Sequence, residues 1–426
     1  MTDAAVPHFG SSPAAAALRR RRYAAERRLR FYGIAAISTA LGLLGLLIVS
    51  LFVTGLPAFT QTTVRVEFPI PVELVGRDAP EKGNFRKVVA DGVAALTPGA
   101  ETPAQAREMA KILTANTQFI VRDAVVADPR VIGGTLTLDI PVSDPYDQLA
   151  KGLVDRASPA DRRRLSDEQI GWFDQLVAAG KVERGFNWGL IVNPNSRFPE
   201  LAGLGGAIVG SFYVLLVCFL ISFPMGIAAA VYLEEFAPRN RMTDLIEVNI
   251  NNLAAVPSII FGLLGLAVFI QIFGLPRSAP LVGGMVLSLM TLPTIIIVTR
   301  NALKAVPPSI REAAYGVGAS KHQVILHHVL PLALPGILTG TIIGLAHALG
   351  ETAPLLLIGM NAFMTSIPTG VTEAATALPT QIFIWADSPE RGFVSRTSAA
   401  IIVLLAFLVI MNAIAVFLRQ RLERTW

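Results

Sequence analysis

One cysteine in 426 residues, Cys218 inside an apolar run, excludes a disulfide within the chain and any cysteine-built metal centre. Charge is scarce too. Asp, Glu, Lys and Arg make up 16% of the residues, against 53% hydrophobic, whereas soluble domains carry roughly 25% charge. There is no glycine-rich GxxxxGK[ST] phosphate loop, so the chain is not expected to bind ATP itself. Its histidines offer no zinc helix: His322, His327 and His328 lack the i, i+4 pairing that puts two ligands on one face. The polar stretches hold no nucleophile–base pair, which leaves an enzyme reading without residues to carry it.

What the chain has is apolar length, with a mean hydropathy of +0.55. Runs at about 31–53, 204–233, 253–273, 280–298, 336–360 and 399–418 are close to the ~20 residues that cross a hydrocarbon core. They predict six transmembrane helices. Ahead of the first stand Arg19-Arg20-Arg21-Arg22 and Arg27-Arg28-Leu29-Arg30. Directly before a span, such a run reads as cytoplasmic retention and not as nucleic-acid affinity. An even number of crossings returns Arg419, Arg421 and Arg424 to the same side. The first run lacks a small-residue cleavage site, so an uncleaved anchor is expected.

The chain thus divides into a basic tail (1–30), a first transmembrane helix (31–53), a soluble insertion (54–200) and a five-helix core (201–426). The insertion is large enough to be a small domain. Val64 to Phe68 alternates like a half-buried strand, and 131–142 is β-rich. Glu101 to Leu113 and Asp167 to Ala179 read as helices, the second opened by a Ser166/Gln169 capping box and stopped by Gly180. The expected fold is an all-α integral membrane protein with a small α+β extracytoplasmic domain between helices 1 and 2. Pro224 and Pro293 fall inside spans, where a bundle can satisfy the freed carbonyls. Gly336, Gly340 and Gly344 form one smooth face suited to close helix packing within the chain.

A polar interval at 304–331 separates two apolar segments. Pro307-Pro308 stops a helix, and Ser309 with Glu312 has capping-box spacing. Gly318 gives freedom to turn. Ser320 and Gln323 repeat the box for a second helix, which Pro331 and Pro335 are expected to close. A bent helix pair at a membrane surface is a knob for a soluble partner; the plainer reading is a solvated connector. Glu312-Ala313-Ala314, then Gly318, then Leu330-Pro331 resemble the EAA loop of importer permeases in the ATP-binding-cassette class. In that family the loop docks into a cleft on the ATPase subunit. The resemblance makes Glu312, Ala313, Ala314, Gly318 and Ser320 the ATPase-coupling residues. His328 stands where the family usually has an aliphatic residue.

His347 and Glu351 lie one helical turn apart in the fifth span, where an ionisable group costs on the order of 2.5–3.5 kcal/mol. They read either as a pair tying the bundle together or as the lining of a translocation path, with Arg300 as a further cation. Around them the resemblance narrows. Gly350-Glu351-Thr352-Ala353-Pro354-Leu355-Leu356, the stretch Asn251 to Leu263, and Leu292 to Pro307 resemble the PstA family of phosphate-transport permeases. The resemblance implies the permease subunit of an ATP-driven, high-affinity inorganic phosphate importer in a bacterial inner membrane. It implies both termini cytoplasmic and residues 54–200 periplasmic. It implies no cofactor on this chain, with ATP and Mg held by partner subunits. The partners it implies are a PstC-type permease, a PstB-type ATPase dimer and a PstS-type periplasmic phosphate-binding protein, besides the lipid membrane. Members usually carry Arg at the position of His347; Arg is permanently charged and forks onto oxyanion oxygens. The alternatives are a permease for sulfate, molybdate or phosphonate, and a membrane sensor or scaffold acting through the outer domain.

Overall fold

A computed structural model describes residues 13–96, 102–159 and 163–422. The first element, α1 (Pro13–Gly55), is one unbroken 43-residue helix holding both the arginine run and the apolar run. At 1.5 Å per residue it measures about 64 Å, so its basic start lies beyond a hydrocarbon core that the apolar part fills.

The α+β domain follows. Its three-stranded sheet has β1 (Thr60–Pro69) at the centre, flanked antiparallel by β2 (Thr135–Pro141) and β3 (Val182–Phe186). The alternation expected for Val64 to Phe68 is present: Val64, Val66 and Phe68 are fully buried, while Arg65 and Glu67 face out. Those three side chains seed a core closed by α2 (Phe85–Leu96), α3 (Pro103–Ala110), α4 (Thr117–Ala127), α5 (Asp144–Ala150) and α6 (Asp167–Ala178). The Ser166/Gln169 capping box forms in both directions, and Gly180 turns the chain at φ +67°. The helix expected over 101–113 is shorter. Thr102 caps α3 through Gln105, Lys111 already closes it, and Glu101 lies outside the described residues.

A short helix, α7 (Trp188–Val192), leads into the apolar core. That core consists of α8 (Gly205–Val231), α9 (Arg241–Ala254), α10 (Ser258–Leu264), α11 (Pro280–Lys304), α12 (Pro308–Gly316), α13 (Lys321–Gln323), α14 (Leu330–Gly350), α15 (Ala353–Leu357), α16 (Leu378–Ala386) and α17 (Gly392–Leu422). Helices α8 and α11 run parallel and in close contact. Gly284 lies against Val217 and Gly226 against Ile295, with no room for a Cβ at either glycine. Helix α14 packs antiparallel on α11 through the glycine stripe: Gly336 faces Ala302, Gly340 faces Val298 and Gly344 faces Thr294. The stripe is therefore an intrachain seam, in a setting where small residues let backbones approach.

Three expectations need correction. The third span is not a continuous helix from 253 to 273. It breaks at Ala255–Pro257, and the pieces Arg241–Ala254 and Ser258–Ile272 meet at 102°. Pro257 fixes the bend by disfavouring helix at the residue before it and lacking an N–H. Among the described residues five helices are long and apolar enough to cross a membrane, and the bent pair makes the sixth if counted as one span. Pro331 and Pro335 close nothing: the helix that Ser320 opens passes through a wide π turn at Val324–Val329 and runs on to Gly350. Both prolines are absorbed inside it. The fifth span therefore covers 321–350 and ends at Glu351, whose backbone is extended, instead of continuing to 360.

The segment that joins the α+β domain to α8 is bonded to the core by buried polar bonds. Trp385 Nε1 donates to Asn195 Oδ1 at 3.0 Å, and Arg396, on the first turns of α17, donates to the carbonyl of Ala202.

Candidate functional site

At the end of the core remote from the α+β domain, α12 projects as a short helix between α11 and α14. It starts at Pro308, with Pro307 at the cap position and no side-chain cap. Ser309 is thus already inside the first turn, and the Ser309/Glu312 capping box does not form. A proline with φ pre-set for the first helical turn takes the start in its place. The second box is real: Ser320 Oγ accepts from the Gln323 N–H while Gln323 Oε1 accepts from the Ser320 N–H. Just ahead of this box Gly318 adopts φ +86° with open space around it.

Two anchors fix α12. Ala314 is buried in one apolar cluster with Leu303, Val324, Val329 and Ala333. Arg311 donates to the carbonyls of Val306 (2.8 Å) and Leu303 (2.9 Å) and to Glu235 Oε1 (2.9 Å). It thereby adds bonds to two carbonyls at and just past the end of α11 and ties α12 to the end of α8. Lys321 lies over the Phe236 ring at 5.2 Å, fixing the start of α13 on the same end of α8. The opposite face of α12 is left bare. Glu312 and Ala313 are exposed, Tyr315 is 47% exposed and Val317 84%. The coupling residues taken from the EAA resemblance thus fall into two groups: Ala314 is a seat, whereas Glu312, Ala313, Gly318 and Ser320 face outward.

Arg300, one turn before the end of α11, is held by Glu234 (3.2 Å) and by Glu247 of α9. Lys304 adds a 3.4 Å ion pair to Glu234. The acidic pair Glu234-Glu235, in the π-helical turn Tyr232–Phe236, is therefore divided between α11 and α12. Sequence reasoning passed over these carboxylates. Their signal was a pair of adjacent acids closing an apolar span.

His347 and Glu351 do meet, with Nε2 3.3 Å from Oε1, but unevenly: His347 is 69% exposed and Glu351 21%. The pair sits where α14 stops. Beyond it Pro354 packs against Gly262 of α10, with Pro354 Cα 2.7 Å from where a glycine Cβ would stand. Two of the stretches that suggested PstA, Asn251–Leu263 and Gly350–Leu356, are thus one packing unit. Arg300 is not part of it. Through the Gly344–Thr294 register, nine residues, or about 13 Å of helix rise, separate its level from that of His347.

Residues 222–424 match the family model described as the binding-protein-dependent transport system inner membrane component, and residues 16–160 match a domain of unknown function. The phosphate transport system permease protein PstA of Yersinia pestis is 32% identical over 213 residues, which cover 50% of this chain and 71% of that protein. PstA 1 of Mycobacterium tuberculosis is 32% identical over 219 residues, 51% of this chain and 70% of that one. The probable ABC transporter permease YqgI of Bacillus subtilis is 27% identical over 252 residues, 55% and 84%. With its apolar core, its projecting α12 and this level of identity to PstA proteins, the chain belongs to the PstA family of ABC transporter permease subunits, extended at its N-terminus by an α+β domain.

Proposed function

We propose that this permease subunit moves inorganic phosphate across a bacterial inner membrane, powered by ATP hydrolysis in a partner ATPase dimer of the PstB type. As a family member it is a membrane channel component with no catalytic site of its own, so ATP and Mg belong to the partner. The observation that carries the coupling is the posture of α12. Its base is pinned by Arg311 and Ala314, while Glu312, Tyr315 and Val317 stand clear for an ATPase cleft. A push on α12 passes through Arg311 to Glu235 on α8 and to the end of α11, and from α11 through the glycine stripe to α14, which ends at His347 and Glu351. Those two residues are the proposed polar lining of the path. Arg300, engaged by Glu234 and Glu247, serves in this reading to hold α9 against α11. The remaining partners are a PstC-type second permease and a PstS-type phosphate-binding protein. Both termini would be cytoplasmic and the α+β domain periplasmic, as the arginines at both ends favour.

The test is uptake of labelled phosphate at limiting concentration in cells lacking the gene, with and without a plasmid copy, against labelled sulfate. Restored phosphate uptake that disappears in a Glu312→Ala/Gly318→Pro variant supports both the substrate and the coupling helix. A defect in sulfate uptake alone would assign the chain to another oxyanion.

A further inference from the structure

The α+β domain and the segment that joins it to α8 leave between them a cleft of about 630 Å³, within the 300–1,000 Å³ of small-molecule sites. Its walls differ in chemistry. On the domain side stand Arg86 of α2 and Arg107 of α3. Both are exposed, and neither has an ion-pair or hydrogen-bond partner among the described residues. Arg197 adds a third guanidinium from the joining segment, lying over the Phe363 ring at 5.6 Å.

The lining also carries acceptors, Asp144 and Glu200. Asp144 Oδ2 accepts from Gln148 Nε2 at 2.7 Å, and Glu200 Oε1 accepts from Thr114 Oγ1 at 2.6 Å. Glu200 Oε2 keeps its capacity to accept. Burial pushes both carboxyls up from the usual range. The third acid on the cleft, Glu390, is already paired with Arg164 at 3.0 Å. Leu113 and Phe198 add apolar surface to the lining.

A bare oxyanion would use only the cationic wall and leave most of the cleft empty. A ligand with an anionic head and a hydroxyl-bearing body satisfies both walls. The head takes charge-assisted hydrogen bonds from guanidinium groups, and the hydroxyls donate to the carboxyls. We infer that this cleft binds a small phosphomonoester of sugar-phosphate size, with its phosphate on Arg86 and Arg107 and its hydroxyls on Glu200 and Asp144. The inference goes beyond phosphate transport and does not rest on it.

The experiment is calorimetric titration of the full-length chain in detergent with glucose 6-phosphate, glucose, inorganic phosphate and sulfate. Glucose 6-phosphate is expected to bind saturably and at least tenfold tighter than inorganic phosphate, with glucose and sulfate silent. The double variant Arg86→Gln/Arg107→Gln, altered at two exposed positions, is expected to bind it at least tenfold more weakly. Equal binding of glucose 6-phosphate, phosphate and sulfate would overturn the two-walled site. So would undiminished binding by the double variant, or no binding at millimolar concentration.

Discussion

Arg311 and Glu235, 76 positions apart in sequence, meet at 2.9 Å with only 22% and 13% of their side chains exposed. The same guanidinium holds the Leu303 and Val306 carbonyls, so one residue joins the ends of α8 and α11 to α12. If α12 transmits force, this joint is where it enters the core. Removing Arg311 strands Glu235, and removing Glu235 leaves Arg311 on the two carbonyls alone; a lost charged contact costs about 1–3 kcal/mol, and 1.4 kcal/mol is about tenfold in an equilibrium. Arg311→Gln and Glu235→Gln are each expected to lower phosphate uptake about tenfold at equal chain abundance, and the swapped pair Arg311→Glu/Glu235→Arg to recover part of it. Wild-type uptake in both single variants would rule the joint out.

Gly318 and Gly316 make a matched pair for testing the turn. A side chain at Gly318 meets open space but must accept φ +86°, worth roughly 1–2 kcal/mol for an L-residue. Gly316 has equal space and no positive φ. Uptake is expected to fall in Gly318→Ala and to hold in Gly316→Ala; equal effects would show that the turn geometry is not what matters.

The α11–α14 seam is tightest at Gly340, where a Cβ would come within 2.0 Å of Val298 Cγ1. Gly340→Ala should cost about 1–3 kcal/mol through overpacking, read as a lower melting temperature of the detergent-solubilised chain. Adding Val298→Ala should restore only part of it, because the Cβ at 298 would still stand 2.6 Å from the new one. Gly344→Ala, with its nearest neighbour at 3.8 Å, serves as the neutral comparison.

His347 is exposed at the end of α14 beside Glu351. If it lines the path of an anion, His347→Arg supplies a permanent charge with a fork for oxyanion oxygens and should leave uptake intact or raise it. Loss of uptake at normal expression would exclude that role.

The junction beneath the α+β domain should respond to acid. Burial raises the carboxyls of Asp144 and Glu200. A carboxylate whose folded pKa lies above its unfolded one opposes folding while charged, and that penalty is relieved as pH falls through the folded value. Arg396 and the amides and hydroxyls around them offset the rise only in part. As pH falls from neutral toward the ordinary carboxylate range, the thermal stability of the purified chain is expected to rise, and Glu200→Gln to flatten the rise. Glu108 and Glu373, held low by Lys111 and Thr369, lose their contribution only below the usual carboxylate range, outside this window. A melting temperature that falls across the window in the wild type would refute the assignment.

Much of the fold was legible in the chain because its signals are local. The period-two pattern at Val64, Val66 and Phe68 states which face of β1 is buried. The Ser166/Gln169 and Ser320/Gln323 boxes state where two helices begin, because both partners lie within one turn. Apolar length stated where spans run, and the four-residue glycine repeat stated that α14 has a smooth face. Sequence misread the places where proline acts in context. Pro307-Pro308 started α12 and so displaced the Ser309 cap, and Pro331 was carried through by a π turn. Which helix the stripe would meet, that Arg300 would be taken by Glu234 and Glu247, and that the 251–263 and 350–356 stretches would pack as one unit were decided only by tertiary structure. Those contacts join residues 34 to 92 positions apart, and their partners are selected by helix register and by the space that glycines leave, neither of which has a local signature.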